Sequence, residues 1–178
     1  MIVEEGIEQA SVRKIAQVAG FSVGAVRHYF ASQSELLHFS MELVSDRVMQ
    51  RAMTRKMKEN QEPLEFVTEG VCEVLPIDDE RKIEMEVWLA FSAKVLVDQT
   101  LRELSNKVYL DMHDGLKNVV MALQLLDMAK DELDLDMEVN RLHAIVDGMA
   151  MHHLLNPEQF SHESMMQTLN YHFRSLCK

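Results

Sequence analysis

The chain has 178 residues, 47% of them apolar and 26% charged, the balance of a soluble globular protein with one extended core or two small ones. No apolar run reaches the roughly 18 residues that span a bilayer and no secretory signal opens the chain, so membrane-embedded and exported classes are set aside and a cytoplasmic location is expected. The net charge of −11 is unevenly spread: residues 1–58 carry eight Lys/Arg against six Asp/Glu, a balance of +2, which leaves −13 for residues 59–178.

Residues 11–30, SVRKIAQVAGFSVGAVRHYF, contain no acidic residue and read as two short helices meeting at a turn that holds Ala19 and Gly20. Ser11 is placed to cap the first helix, in which Val12, Ile15, Ala16 and Ala19 recur at three- and four-residue intervals along one buried stripe. Gly20 allows the left-handed backbone that ends it. Ser22 is placed to cap the second helix, whose Val26, Tyr29 and Phe30 can dock on the first while Val23, Gly24, Arg27 and His28 face away. Such an outer face suits a major groove about 12 Å wide, and the planar fork of Arg27 matches guanine O6 and N7. Gly24 and Ala25 matter because a long side chain at either position would hold the helix off the base edges. Within the segment Arg13, Lys14 and Arg27 are unopposed, so phosphate attraction is local even though the whole chain is anionic. A packing hairpin in a helical bundle shares the turn geometry and is the alternative. Ser32 and Glu35 then have capping-box spacing and start a third helix at once.

These residues resemble the tetracycline-repressor (TetR) family of bacterial transcription regulators. Glu4-Glu5-Gly6, Ser11-Val12-Arg13-Lys14-Ile15-Ala16, Ala19-Gly20-Phe21-Ser22, Gly24, His28-Tyr29-Phe30 and Ser32 through Leu37 follow its pattern. The resemblance implies that Arg13, Val23, Gly24, Ala25, Arg27 and His28 approach bases while Ser11, Ser22, Tyr29 and Gln33 hold phosphates. Gln33 stands where the family usually has a lysine. It also implies a full first helix ahead of Glu5-Gly6; only Ile2 and Val3 remain of that apolar stripe, so the chain reads as short at its amino end.

Helix follows helix from there on, without strand alternation. Leu36 to about Lys58 reads as one long helix linking the first part to the rest. Pro63 suits a first-turn position, and Phe66, Val67 and Val71 form a stripe ending near Pro76. After Asp78, Ile83, Val87, Trp88, Phe91 and Val95 make one apolar face and Met85, Leu89 and Leu96 another, which predicts a helix buried on two sides. Leu101, Leu104, Val108, Met112, Leu116, Val119, Leu123 and Leu126 form a long stripe over 100–129. An acidic turn covers 130–136. Leu142, Ile145, Val146, Met149 and His153 then mark a helix ending before Pro157, and Met165, Met166, Leu169, Phe173 and Leu176 mark the last. In this part Pro63-Leu64, Leu75-Pro76-Ile77-Asp78, Glu86-Val87-Trp88-Leu89-Ala90-Phe91, Val146-Asp147-Gly148 and Leu155-Asn156-Pro157-Glu158 resemble, in order, the betaine-regulator (BetI-like) branch of that family.

Fourteen methionines are the compositional oddity. Flexible, polarizable side chains fill gaps in ordinary cores, and they also suit an adaptable apolar pocket; Met85, Trp88, Phe91, Met112, Met121 and Met149 are the candidates to line one. The flat face of Trp88 would suit a quaternary ammonium ligand of the kind that the BetI-like resemblance suggests. A two-fold operator calls for a two-fold protein, so Leu142, Ile145, Val146, Met149, His153, Met165, Met166, Leu169 and Phe173 are expected at a homodimer contact, with plain core as the alternative. Cys72 and Cys177 read as unpaired thiols. The histidines, His143, His152, His153, His162 and His172 among them, read as interface or surface groups, because adjacent His152 and His153 diverge on a helix and no zinc spacing is present. Phosphate loops and nucleophile elbows are absent too, so no enzyme, cofactor or metal is expected.

The expected fold is all-α: an N-terminal helix-turn-helix DNA-binding domain over 1–46 and a larger helical ligand-binding and dimerisation domain over 47–178. The expected function is a DNA-binding transcriptional regulator, a repressor released from a double-stranded operator by a small-molecule effector. The alternative is a helical ligand-binding or adaptor protein without DNA-binding activity.

Overall fold

The computed structural model describes residues 12–178; Ser11, one of the expected phosphate contacts, lies outside them. In chain order the helices are α1 over 12–19, α2 over Val23–Tyr29, α3 over Gln33–Thr54, α4 over Pro63–Cys72 and α5 over Asp79–Val95. A 3-10 turn over Gln99–Leu101 leads into α6 over Arg102–Leu125, α7 over Leu135–Leu155 and α8 over His162–Leu176. Among the described residues the only β geometry is an isolated bridge between Ala129 and Cys177. The fold is all-α.

Short polar side chains set the helix starts. Ser22, Ser32, Asp78, Asp134 and Ser161 each accept from a backbone N–H three residues on, satisfying a donor that the helix leaves orphaned. Pro63 opens α4 at its first turn. The end of α6 had no glycine to signal it. Asp127 there takes φ 54°, its N–H donates to Gln124 at 3.0 Å and that of Met128 to Leu123 at 2.9 Å, a Schellman closure in which an acidic residue holds the left-handed position. Leu126, expected on the buried stripe, therefore lies past the helix and is exposed.

Two apolar clusters form the core. One joins Ile15, Ala16, Val18 and Val26 of the first helices to Leu36, Leu37, Met41 and Val44 of α3, and continues into Val87, Phe91, Leu101 and Leu104. The other packs α4, α6, α7 and α8 around Val71, Leu75, Leu123, Leu142, Leu169 and Phe173. α3 runs unbroken across residue 46, and α5 carries the first cluster beyond it, so no gap in packing marks that boundary.

The expected dimer residues need correction. Leu142, Val146, Met149, Met165, Leu169 and Phe173 are each at most 4% exposed in the single chain, so they are core and have no surface to offer a second copy. Ile145 and Met166 pack partly against the same core, and the His153 ring nitrogen Nδ1 meets the Phe160 carbonyl at 2.9 Å. α5 also departs from its expected two-sided burial: Leu96 is 83% exposed and Glu84 is buried instead.

Glu84 is buried because Arg51 meets it. From α3, Arg51 donates to both Glu84 carboxylate oxygens at 2.9 and 2.6 Å, to the Glu73 carboxylate at 3.0 Å and to the Glu73 carbonyl at 3.2 Å. Arg81 of α5 donates to the same Glu73 at 2.5 Å and to Asp78. Arg55 donates to the Phe66 carbonyl at 2.6 Å, with its guanidinium 4.4 Å above the Phe66 ring centre. Burying charges costs several kcal/mol per ion, and the matched fork geometry offsets it.

The histidines divide: His143 and His172 are buried, contrary to the surface or interface reading. Arg141 donates to His172 Nδ1 at 3.2 Å, which leaves the ring proton on a buried Nε2 with no acceptor among the described residues. Burial, and then the Arg141 charge, lower its pKa from the ordinary 6.5 to about 4.

Two outcomes follow from these contacts. Arg51→Ala strands the Glu84 carboxylate and should lower unfolding free energy by about 3 kcal/mol in urea denaturation, whereas the paired Arg51→Met, Glu84→Leu variant should lose much less. Because the folded state holds His172 neutral, its contribution is complete above the unfolded pKa of 6.5 and is lost as the pH falls toward about 4. Stability should drop by up to about 1.4 kcal/mol per pH unit in that window, a slope that His172→Asn removes.

Candidate nucleic-acid interface and internal cavity

The helix pair begins with a left-handed turn. Gly20 takes φ 73°, its N–H donates to Gln17 at 3.2 Å and that of Phe21 to Ala16 at 2.9 Å, closing α1 in a Schellman motif. Arg47 of α3 donates to the Val18 carbonyl at 2.9 Å, satisfying another open carbonyl of that helix end. Ser22 Oγ accepts from the Ala25 N–H at 3.1 Å and starts α2. Val26 is buried against the cluster beneath, and the Phe30 ring lies 5.4 Å from that of Phe39, so α2 is fixed from below.

Its opposite face is open. Val23, Gly24, Arg27 and His28 are exposed, and Ala25 is half-buried. A Cβ built on Gly24 would meet nothing within 4 Å among the described residues, so none of their contacts explains a glycine in this helix. Tyr29 does not dock on α1 as its spacing suggested. It is 70% exposed, with its ring 6.1 Å from that of Phe21. Ser22 is exposed, while Gln33 is half-buried at the first turn of α3. Arg13 is exposed on α1. Lys14 is not unopposed in space: Glu86 of α5 reaches it at 3.4 Å, a partner that a 20-residue window cannot reveal.

Behind this face, α3 continues into the wall of a cavity of about 600 Å³ bounded by α3, α4, α5 and α6. That volume lies within the range of drug-sized ligand sites. Met41, Met49, Met53, Met85, Met112 and Phe66 give it an apolar lining, with Glu73, Glu84, Arg55 and Arg81 along the α4–α5 side. Asp111 and Asp114 border it from α6. A smaller chamber of about 130 Å³ shares Trp88, Val108 and Met112 with it and adds Phe91, Tyr109, His143 and Asp147. Of the expected lining residues, Met85, Trp88 and Met112 border the cavity and Phe91 the small chamber. Met149 is in the core and Met121 is exposed on α6, because the cavity opens on the faces of α3 and α6 rather than toward α7. The sequence signal for this wall is the spacing of the α3 methionines: 41, 49 and 53 share one helical face.

Comparison with known proteins agrees with both halves. Residues 1–38 match the model of bacterial regulatory proteins of the tetR family, and residues 63–178 match that of the BetI-type transcriptional repressor C-terminal region. The HTH-type transcriptional regulator PksA of Bacillus subtilis (strain 168) is 36% identical over 177 residues, covering 99% of this chain and 84% of that one. The HTH-type transcriptional regulator BetI of Vibrio vulnificus (strain YJ016) is 28% identical over 158 residues, covering 86% and 75%. Among solved structures, a transcriptional regulator from Rhodococcus sp. Rha1 superposes with a TM-score of 0.71 at 26% identity, covering 98% of this chain and 89% of that one. One from Saccharomonospora viridis, crystallised with choline, gives 0.74 at 22%, covering 99% and 92%.

A glycine inside a helix lowers stability by up to about 1 kcal/mol relative to alanine. Gly24→Ala should therefore raise the melting temperature slightly while weakening binding to duplex DNA, read by calorimetry and gel shift on the same preparation.

Proposed function

This chain is a DNA-binding transcriptional regulator of the tetR family with a C-terminal region of the BetI repressor type, and we propose that it works as a homodimeric repressor released from its operator by a small ligand. One observation carries the reading: α3 supports the outward face of α2 at its first turns and walls the cavity with its later ones.

In this reading residues 1–46 hold the DNA and residues 47–178 hold the ligand and the second copy. Arg27 bonds a guanine edge, Val23, Gly24, Ala25 and His28 lie against bases, and Arg13 adds a contact from α1. Ser22, Tyr29 and Gln33 fix the register on phosphates. Gln33 contributes no charge, and with an acidic body behind the head, two heads on one operator are needed to compensate.

The second copy meets the outer faces of α7 and α8. Met137, Ala144, Met151 and Leu155 are exposed along α7, and Tyr171 is 80% exposed on α8. Gly148 lies on the same face of α7 with nothing within 4 Å of a Cβ built on it, which lets two backbones approach closely. Two helices from each copy make a four-helix contact with the two-fold symmetry of an operator.

Ligand in the cavity, held by Met85, Trp88 and Met112, moves α3 and so the separation of the two heads. The shift is bounded by the ligand's differential affinity for the two arrangements. Such a protein acts on chromosomal DNA in the cytoplasm and performs no turnover of its ligand.

Genomic fragments captured by the protein supply the operator. On it, Arg27→Ala should weaken binding by roughly 1–3 kcal/mol and relax the preference at one base pair per half-site, read by gel shift. Equal binding by mutant and wild type would place the reading surface elsewhere.

A further inference from the structure

The main cavity and the small chamber beside it differ in chemistry and share one wall. Trp88, Val108 and Met112 border both. The main cavity is lined by methionines, which adapt to apolar bodies of varied shape. Its ionic groups on the α4–α5 side are matched to one another, Glu84 to Arg51 and Glu73 to Arg51 and Arg81; on the α6 side Asp111 is met by Lys107 at 3.2 Å and Asp114 is exposed to solvent at the rim. Gly115, in the interior of α6, borders this cavity, and a Cβ built on it would meet nothing within 4 Å. A helix-interior glycine with open space in front of it has no packing reason inside the chain.

The small chamber is aromatic and acidic. Trp88, Phe91 and Tyr109 surround it, Ser92 and Ser105 border it, and among the described residues Asp147 is its one acidic group. Among the described residues no lysine or arginine borders it. His143 Nε2 lies 3.9 Å from the Asp147 carboxyl group; burial holds the His143 ring below its ordinary pKa and the Asp147 carboxyl above its own, so each is pushed toward its neutral form and the pair lacks a permanent cation. An ammonium group entering beside Asp147 would supply the permanent cation that favours its carboxylate form, among ring faces that also attract cations, so the chamber fits a positively charged head group.

We propose that the effector is an elongated amphiphile that fills both chambers, an apolar body in the methionine-lined cavity and a protonated amine beside Asp147. The proposal rests on reading this cavity as the effector site. A small ammonium compound alone would occupy the chamber of about 130 Å³ and leave the cavity of about 600 Å³ without its ligand.

Trp88 is the sole tryptophan of the chain and borders both spaces, so its fluorescence reports occupancy directly. Titration of the full chain with butylamine, octylamine and dodecylamine below their micelle concentrations, and with choline, dodecanol and dodecanoate, tests both parts. The amines should tighten with length, by at least about threefold for each two methylenes added, as burial of each methylene requires. Dodecylamine should bind at least about tenfold tighter than dodecanol or dodecanoate, and Asp147→Asn should erase that preference. Gly115→Leu, which fills the cavity, should erase the length dependence and leave butylamine binding intact.

Dodecanol or dodecanoate binding as tightly as dodecylamine would overturn the head assignment, and choline or butylamine matching dodecylamine would overturn the body assignment. An unmoved Trp88 signal with every amine would overturn both. Dodecylamine binding that leaves the operator complex intact in a gel shift supports the two-chamber site while refuting ligand-controlled release, so the two failures are separable.

Discussion

The contact of Arg51 with Glu84 and Glu73 is the constraint on which the arrangement depends. It ties the long α3 to α5 and to the end of α4 at the level of the cavity, where the space between the helices is not filled by apolar side chains. A closed core would hold α3 by burial alone. Here packing is interrupted by about 600 Å³, and a directional, bidentate contact replaces what dispersion does elsewhere. The later turns of α3 are therefore tied to α4 and α5 by ion pairs while the space beside them stays available. The first turns of the same helix are held differently, by the apolar cluster under α1 and α2 and by Arg47 on the Val18 carbonyl, so α1, α2 and the start of α3 form one packed unit.

Three glycines within helices share one property among the described residues: Gly24, Gly115 and Gly148 each look onto open space. Each gives up helix propensity without relieving a clash in the chain. They mark, in order, the proposed DNA face, the cavity wall and the proposed dimer face. Gly70 is the contrast, since a Cβ there would meet the Arg55 guanidinium at 2.7 Å, and its smallness is used internally. The open glycines are thus informative about what lies outside the chain, and only coordinates separate them from the packed one.

Much of the architecture was legible in advance because it is local. Caps at Ser22 and Ser32, the Gly20 turn, Pro63 at a first turn and the helical spacing of apolar residues indicate where helices begin and that helix follows helix. The face of α2 was legible for the same reason, since a seven-residue helix capped by Ser22 and anchored by Val26 leaves Gly24, Arg27 and His28 outward. The reading failed where two stripes on one helix had to be assigned to different partners. On α5, Val87 and Phe91 face the core and Met85 faces the cavity; on α7, Leu142, Val146 and Met149 face inward while Met151 and Leu155 remain exposed.

By itself the amino-acid order determined the helices, their caps and the outward chemistry of the recognition helix, because hydrogen bonds within one turn and side-chain period depend on neighbours a few residues apart. Tertiary structure alone decided that Lys14 is met by Glu86, that Glu84 is buried against Arg51, that His172 is neutral in the core, and where the cavity opens. Those are properties of pairs up to 72 residues apart, as Lys14 and Glu86 are, and a one-dimensional period cannot encode which face of one helix meets which face of another.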